Sequence, residues 1–187
     1  MFAVTKRLLL RPGWVEDAPE LAAAIGHTAV VRNLARAPWP YRRGDAEGFL
    51  ASDRDARFPN FQIVDRKSDP VRMIGGVGFQ PDENGDIEFG YWIEPGSWGK
   101  GYATEAGRAA LDAARSWLGY GRIVAGHFID NPASGKVLRK LGFRPTGRIV
   151  PRYSRARGEE VECVLFAQEP DDADGAMTDT DRPALAA

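Results

Sequence analysis

Ser97-Trp98-Gly99-Lys100-Gly101-Tyr102-Ala103 decides how this chain is read. Before it runs Ile87-Glu88-Phe89-Gly90-Tyr91-Trp92-Ile93, which reads as a strand. After it, Ala103, Ala106, Ala110, Leu111, Ala114 and Leu118 recur at helical spacing. A strand that turns through glycines into a helix is an anion trap. The first helical amides have no backbone partner, and the helix dipole adds positive potential at that end. Gly99 and Gly101 permit positive φ and close approach of a phosphate to the backbone, and Lys100 adds a mobile charge.

Two common phosphate loops do not fit. A Walker loop needs a glycine where Glu94 stands and a Ser or Thr where Gly101 follows Lys100. A dinucleotide fingerprint needs a third glycine where Thr104 stands. Gly101-Tyr102-Ala103 closes a different pattern, Gly-x-Ala after a strand.

Outward from the loop, Val4 to Arg11 reads as a first strand, broken by Pro12-Gly13. Glu16-Asp17 start a helix through Leu21 and Ile25, with acids where the dipole favours them. Past the Pro-rich connection 37–41, Asp45 opens a second helix to about Arg57. Phe61–Asp65 and Val71–Gln80 read as strands, and Asn84-Gly85-Asp86 is a hairpin signal. Arg122–Ile129 is a strand, Pro132–Leu141 a helix with proline first, and Phe143–Val150 and Val161–Ala167 are closing strands. The order β-α-α-β-β-β-α-β-α-β-β predicts an α/β (α+β) domain with a mostly antiparallel sheet of about seven strands and about four helices.

Composition bounds the rest. With 187 residues and 43% hydrophobic content, the chain suits one packed domain, 1–168. Residues 169–187 hold six acids and one arginine and read as a disordered acidic tail. No run of about eighteen apolar residues predicts a membrane span. The N-terminus has too short an apolar stretch for a signal peptide, which points to the cytoplasm. Cys163 is the single cysteine, in an alternating segment where a buried thiol is expected, and two distant histidines give no metal cluster. Of 25 basic residues 20 are arginine, and 139–157 carries seven basic residues and no acid, which reads as a solvated positive face; no direct nucleic-acid partner is expected.

The strings IEFGYWIEPGSWGKGYATEA, DNPASGKVLRKLGF and YSRARGEEV resemble signatures of the GNAT superfamily of N-acetyltransferases, and within it the bacterial RimJ/RimL branch, which acetylates N-terminal amines of ribosomal proteins. Pro40-Tyr41 followed by Asp45-Ala46 is similar to that branch's acceptor-side loop. The resemblance covers about Thr5 to Ala167. Trp98 stands where the superfamily often has Gln or Arg, a substitution usual in this branch. The resemblance implies a twisted sheet whose fourth and fifth strands splay apart, and acetyl-CoA as cosubstrate. It places the backbone amides of Trp98, Gly99, Lys100, Gly101, Tyr102, Ala103 and Thr104 at the pyrophosphate and Tyr91, Trp92 and Ile93 along the pantetheine arm. Asn131 resembles the family residue that bonds the pantetheine amide, with capping of the helix at Pro132 as its other role. Lys140 and Arg139 are the expected basic contacts to coenzyme A. Homodimers are common in the resembled family.

Amine acetylation requires a neutral amine, and a carboxylate near the acceptor takes its proton directly or through water. Glu88 is the candidate base: alternation puts it on the face of Gly90 and Trp92. Glu94 is the runner-up. A backbone N–H at Tyr91–Ile93 is a candidate oxyanion donor, and Ser134 the candidate acid, its alternative being helix-start hydrogen bonding. Trp39 and Tyr41, with Tyr153 and Arg155, are candidates for the acceptor side. The expected reaction is direct attack by an amine, a protein N-terminal α-amine first. Polyamine, amino acid or aminoglycoside acceptors, or a non-catalytic acetyl-CoA-binding module, are the alternatives.

Overall fold

The computed structural model describes residues 2–53, 55–82 and 84–169. The strand expected over 4–11 is interrupted, giving β1 (Ala3–Val4) and β2 (Leu8–Arg11). The interruption is a tight turn closed by two bonds: Thr5 N–H donates to Leu8 O at 2.9 Å, and Leu8 N–H donates to the Thr5 side-chain hydroxyl at 2.9 Å.

A 3₁₀ turn (Val15–Asp17) leads into α1 (Ala18–Ile25), the short α2 (Thr28–Val31) and α3 (Arg43–Ala51). Sequence periodicity did not reveal α2, whose four residues are too few to show it. The helix expected from Asp45 to about Arg57 starts two residues earlier and ends sooner. Asp45 sits in its first turn and accepts the Arg42 N–H at 2.8 Å; at the far end Ser52 turns extended and its hydroxyl bonds Phe49 O at 2.8 Å. This is the local competition that lets serine end helices.

β3 (Asn60–Asp65), β4 (Arg72–Pro81) and β5 (Ile87–Ile93) form a meander. The β4–β5 connection spans 82–86 and is longer than the two-residue turn an Asn-Gly pair suggests. Asp82 organises it by accepting the N–H groups of Asn84 and Asp86, each at 2.8 Å. α4 (Tyr102–Leu118), β6 (Ile123–Phe128), α5 (Pro132–Lys140), β7 (Arg144–Ser154) and β8 (Glu159–Gln168) complete the chain. The sheet has eight strands in the order β1-β2-β3-β4-β5-β6-β8-β7 and is antiparallel except between β5 and β6. Helices cover both faces, the α/β arrangement expected.

The pleat sorts side chains between two cores. Phe61, Ile63, Phe89 and Ile93 face α4, whose buried Ala106, Ala110 and Ala114 let it lie close to the sheet. On the other face Met73 and Trp92 pack with Leu21 of α1 and Leu50 of α3. Fully burying one such large apolar side chain stabilises the fold by about 1.5–3 kcal/mol.

The feature that matters for function lies between β5 and β6. They pair only at Ile87↔Ile123 and Glu88↔Val124, then diverge. This is the splay expected of the fourth and fifth strands, renumbered because the first strand is split. Glu169 is tied to the body by Arg122 at 3.2 Å; the rest of the expected acidic tail lies outside the described residues. Among the described residues no helix is long and apolar enough to cross a membrane.

Candidate active site

Where β5 and β6 part, a cleft of about 830 Å³ opens between the two helical layers. Thr104, Val137 and Lys140 wall it on the α4–α5 side, and Leu21, Tyr41 and Phe49 on the α1–α3 side. It therefore has two approaches, one from each face of the sheet.

The first approach is the glycine loop. Gly99 and Gly101 have φ of +74° and +79°, conformations that L side chains rarely adopt. The first regular α4 bond runs from Glu105 N–H to Gly101 O at 3.1 Å. The amides of Tyr102, Ala103 and Thr104 therefore project from the helix end, where an anion is favoured. Trp98 anchors the loop through its indole N–H to Ile93 O at 2.7 Å, and Lys100 Nζ bonds Gly96 O at 2.9 Å. The side chain of Tyr102 is committed elsewhere: its hydroxyl donates to Asp65 at 2.8 Å and the Arg7 guanidinium lies 4.4 Å from its ring centre. Glu105 puts a carboxylate in this first turn, but Arg7 at 2.6 Å and the Thr5 hydroxyl at 2.6 Å neutralise it. Burial works against its charge, and these bonds nonetheless hold its carboxyl below the usual range.

Tyr91 and Ser134 meet inside the cleft. The Tyr91 hydroxyl donates to Ser134 Oγ at 2.9 Å. Burial pushes the phenol up to about 12, the Ser134 bond opposing slightly. The serine oxygen thus receives one proton and keeps its own to donate. Nothing in the sequence spacing joins residues 91 and 134, so the Tyr91 side chain carries no signal there beyond the expected main-chain role. Asn131 accepts the Ser134 N–H at 3.4 Å, so its helix-capping role is present.

Glu88 sits at the crotch where the strands separate. It is 6% exposed and lines the cleft. One carboxylate oxygen is gripped by Arg152 of β7, and the other accepts from Gln80 Nε2 at 2.8 Å. Gln80 in turn accepts from Arg36 at 2.7 Å. Glu88 is therefore not a solvated strand glutamate. Glu94, the runner-up, does not line the cleft and is paired with Arg72 and Ser97.

The remaining candidates divide. Tyr41 and Arg155 line the cleft; Trp39 and Tyr153 are exposed and do not. The 139–157 segment is not uniformly a solvated face. Arg152 turns inward to Glu88, Arg157 holds Asp130 at 2.8 Å, and Arg139 lies 5.3 Å from the Phe166 ring centre. Cys163 is buried and outside the cleft lining, and burial raises its thiol.

The geometry is thus a helix end suited to an anion joined, through a parted sheet, to a buried carboxylate. Known proteins share the fold that carries it. The model of the acetyltransferase (GNAT) domain matches residues 7–144. The chain is 36% identical over 170 residues to the uncharacterized N-acetyltransferase YoaA of Bacillus subtilis, covering 87% of this chain and 93% of that one. Among solved structures, the ribosomal-protein-S5-alanine acetyltransferase of Vibrio fischeri superposes with a TM-score of 0.77 at 19% identity, over 94% of this chain and 100% of that one. The microcin C7 self-immunity acetyltransferase MccE, solved with acetyl-CoA and AMP, gives 0.71 at 19% identity, over 88% and 93%. The chain belongs to the GNAT acetyltransferase family and is an acyl-CoA N-acyltransferase.

Proposed function

We propose that this enzyme, in the manner of the RimJ/RimL branch, acetylates the N-terminal α-amine of a protein or peptide by direct attack on acetyl-CoA, with Glu88 as general base. Acetyl-CoA supplies the acyl group as an activated thioester. The amides from Trp98 to Thr104, with Lys100 and Lys140, fit its phosphates, and the open edge of β5 from Tyr91 to Ile93 and Asn131 fit its amide-bearing arm.

The observation that carries the reading is the placement of Glu88: buried, on the cleft, and fixed at both oxygens. An α-amine has an ordinary pKa near 8, so a substantial share arrives protonated at pH 7. A fixed carboxylate beside the acceptor takes that proton directly or through one water. Ser134, polarised by Tyr91, is placed to donate a proton to the departing sulfur.

The acceptor is narrowed by charge. On the α1–α3 side the cleft is lined by Arg36, Arg152 and Arg155 against Asp45 and Glu88, and Asp45 is occupied as a helix cap. Polyamines and aminoglycosides bring several positive charges and meet repulsion there. A peptide N-terminus brings one. Arg36 and Arg155 also favour a second reading, a free amino acid whose carboxylate they would meet.

Coenzyme A release measured against N-terminal peptides, amino acids, polyamines and aminoglycosides tests this. Peptides are expected to give the highest kcat/KM; a polyamine or amino acid exceeding them by tenfold or more overturns the acceptor assignment.

A further inference from the structure

The acceptor half of the cleft contains a polar group that no contact explains. Gln62 on β3 is 2% exposed, lines the cleft, and its Oε1 has no hydrogen-bond partner among the described residues. Arg11, directly opposite on β2, is committed to Asp17 at 2.6 and 2.7 Å and to Pro12 O at 2.9 Å. A buried carbonyl oxygen left without a donor costs about 1–3 kcal/mol, so a fold keeps one rarely and for a reason.

The sheet register shows where it stands relative to the chemistry. Gln62 pairs with Gly76, and Gly76 with Trp92; one rung along, Asn60 pairs with Gly78 and Gly78 with Gly90; the next rung pairs Gln80 with Glu88. Directly opposed residues share a face, as do alternate residues along a strand. Gln62, Trp92 and Glu88 therefore look into the same side, across a floor made of Gly76, Gly78 and Gly90. Gln62 lies two strands across and four residues along from Glu88, roughly 16 Å between Cα atoms. A single amino acid does not span that distance. An extended peptide, at about 3.3–3.6 Å per residue, covers it within about five residues, which are joined by four peptide groups.

Resting on the peptide reading above, we propose that Gln62 is an acceptor-recognition residue whose Oε1 receives a backbone N–H from one of the first four peptide groups of the substrate. Gly90 leaves open space over the sheet for the extended chain, between the Asn60 side chain that lies over Gly78 and the Trp92 indole that lies over Gly76, and Tyr41, Phe49 and Trp92 wall the route toward Gln62. Binding then supplies the donor that the free enzyme lacks. Substrate recognition is thereby stored as an unsatisfied group, a known trade of stability for function.

The test is a cycle between enzyme and substrate. Ester linkages replace, one at a time, the first four peptide bonds of an acetylated peptide, removing one N–H each, and every variant peptide is assayed with wild type and Gln62→Met. One ester is expected to raise the acceptor KM about tenfold with wild type and less than twofold with Gln62→Met, while the KM for acetyl-CoA stays level. Gln62→Met without substrate is expected to melt a few degrees higher, since its orphan oxygen is gone; Gln62→Leu serves if methionine packs poorly. If peptides are acetylated but every ester costs the same in both enzymes, Gln62 does not recognise the backbone and only this inference falls. If no peptide is acetylated and small amines are, the peptide reading falls and takes this inference with it.

Discussion

Arg152 on β7 holds Glu88 on β5 across two intervening strands, β6 and β8, and so bridges the sheet at the point where it parts. The pair joins the two halves of the fold and fixes the carboxylate proposed as base. Glu88→Gln keeps the shape and the Arg152 contact but removes proton acceptance. It is expected to lower kcat by about 10²–10⁴ and to shift the pH optimum upward, where more amine is already neutral. A pH profile of kcat/KM unchanged from wild type would remove Glu88 from that role.

Arg152→Met tests the other partner. With Arg152 gone, Glu88 is left nearly buried beside Gln80 alone. Arg152 is itself about a third exposed, which moderates the loss to about 1–3 kcal/mol. Urea unfolding reads this directly, and Arg152→Lys should recover part of it.

The Tyr91–Ser134 bond predicts unequal effects. Ser134→Ala should reduce kcat about 10- to 100-fold with little change in the acetyl-CoA KM, and Tyr91→Phe only a few-fold. Tyr91 keeps its proton up to about pH 12, so no rate limb from this phenol should show between pH 7 and 10. The double variant should be no slower than Ser134→Ala, because both act through one proton.

Gly101→Ala forces a side chain into φ of +79° at the start of α4. It should cost about 1 kcal/mol of stability and weaken acetyl-CoA more than tenfold by calorimetry, with the acceptor KM little moved.

Acid stability should depend on Asp17. The hydrogen bond from Arg11 lowers its carboxyl below the usual value, burial opposing. The folded state thus binds the proton less readily than the unfolded chain. Its contribution is full above about pH 4, the unfolded value, and is lost as pH falls through the lower folded value. Asp17→Asn should be less stable than wild type at pH 7 in urea, with the gap closing toward pH 2.

Much of the donor side was legible in the sequence, because it is local. The loop from Ser97 to Ala103 carries its own glycines, its own helix and its own charge within a few residues. The face on which Glu88 stands was also legible, from alternation beside that loop. Its surroundings were not, since Arg152 lies 64 residues away and reaches it only through the order β5-β6-β8-β7. Gln62 gave no signal at all: a glutamine in an alternating strand looks like any solvent-facing residue until two helices cover it. Tyr153 and Trp39 failed for the opposite reason, as aromatic residues near a site were expected to line it and face solvent instead. The split of the first strand at Thr5 depends on Glu105, a hundred residues on.

The parting of β5 from β6 makes this catalyst a wall with a window. In the proposed reading each reactant has its own side, so neither must vacate for the other to enter, and a chain far too large for any pocket need offer only its first few residues. Evolution can then redraw the room on the acceptor side, through α1, α2 and the 35–41 connection, without touching the fittings for the donor. Relatives with one window and unrelated guests are what such an architecture allows.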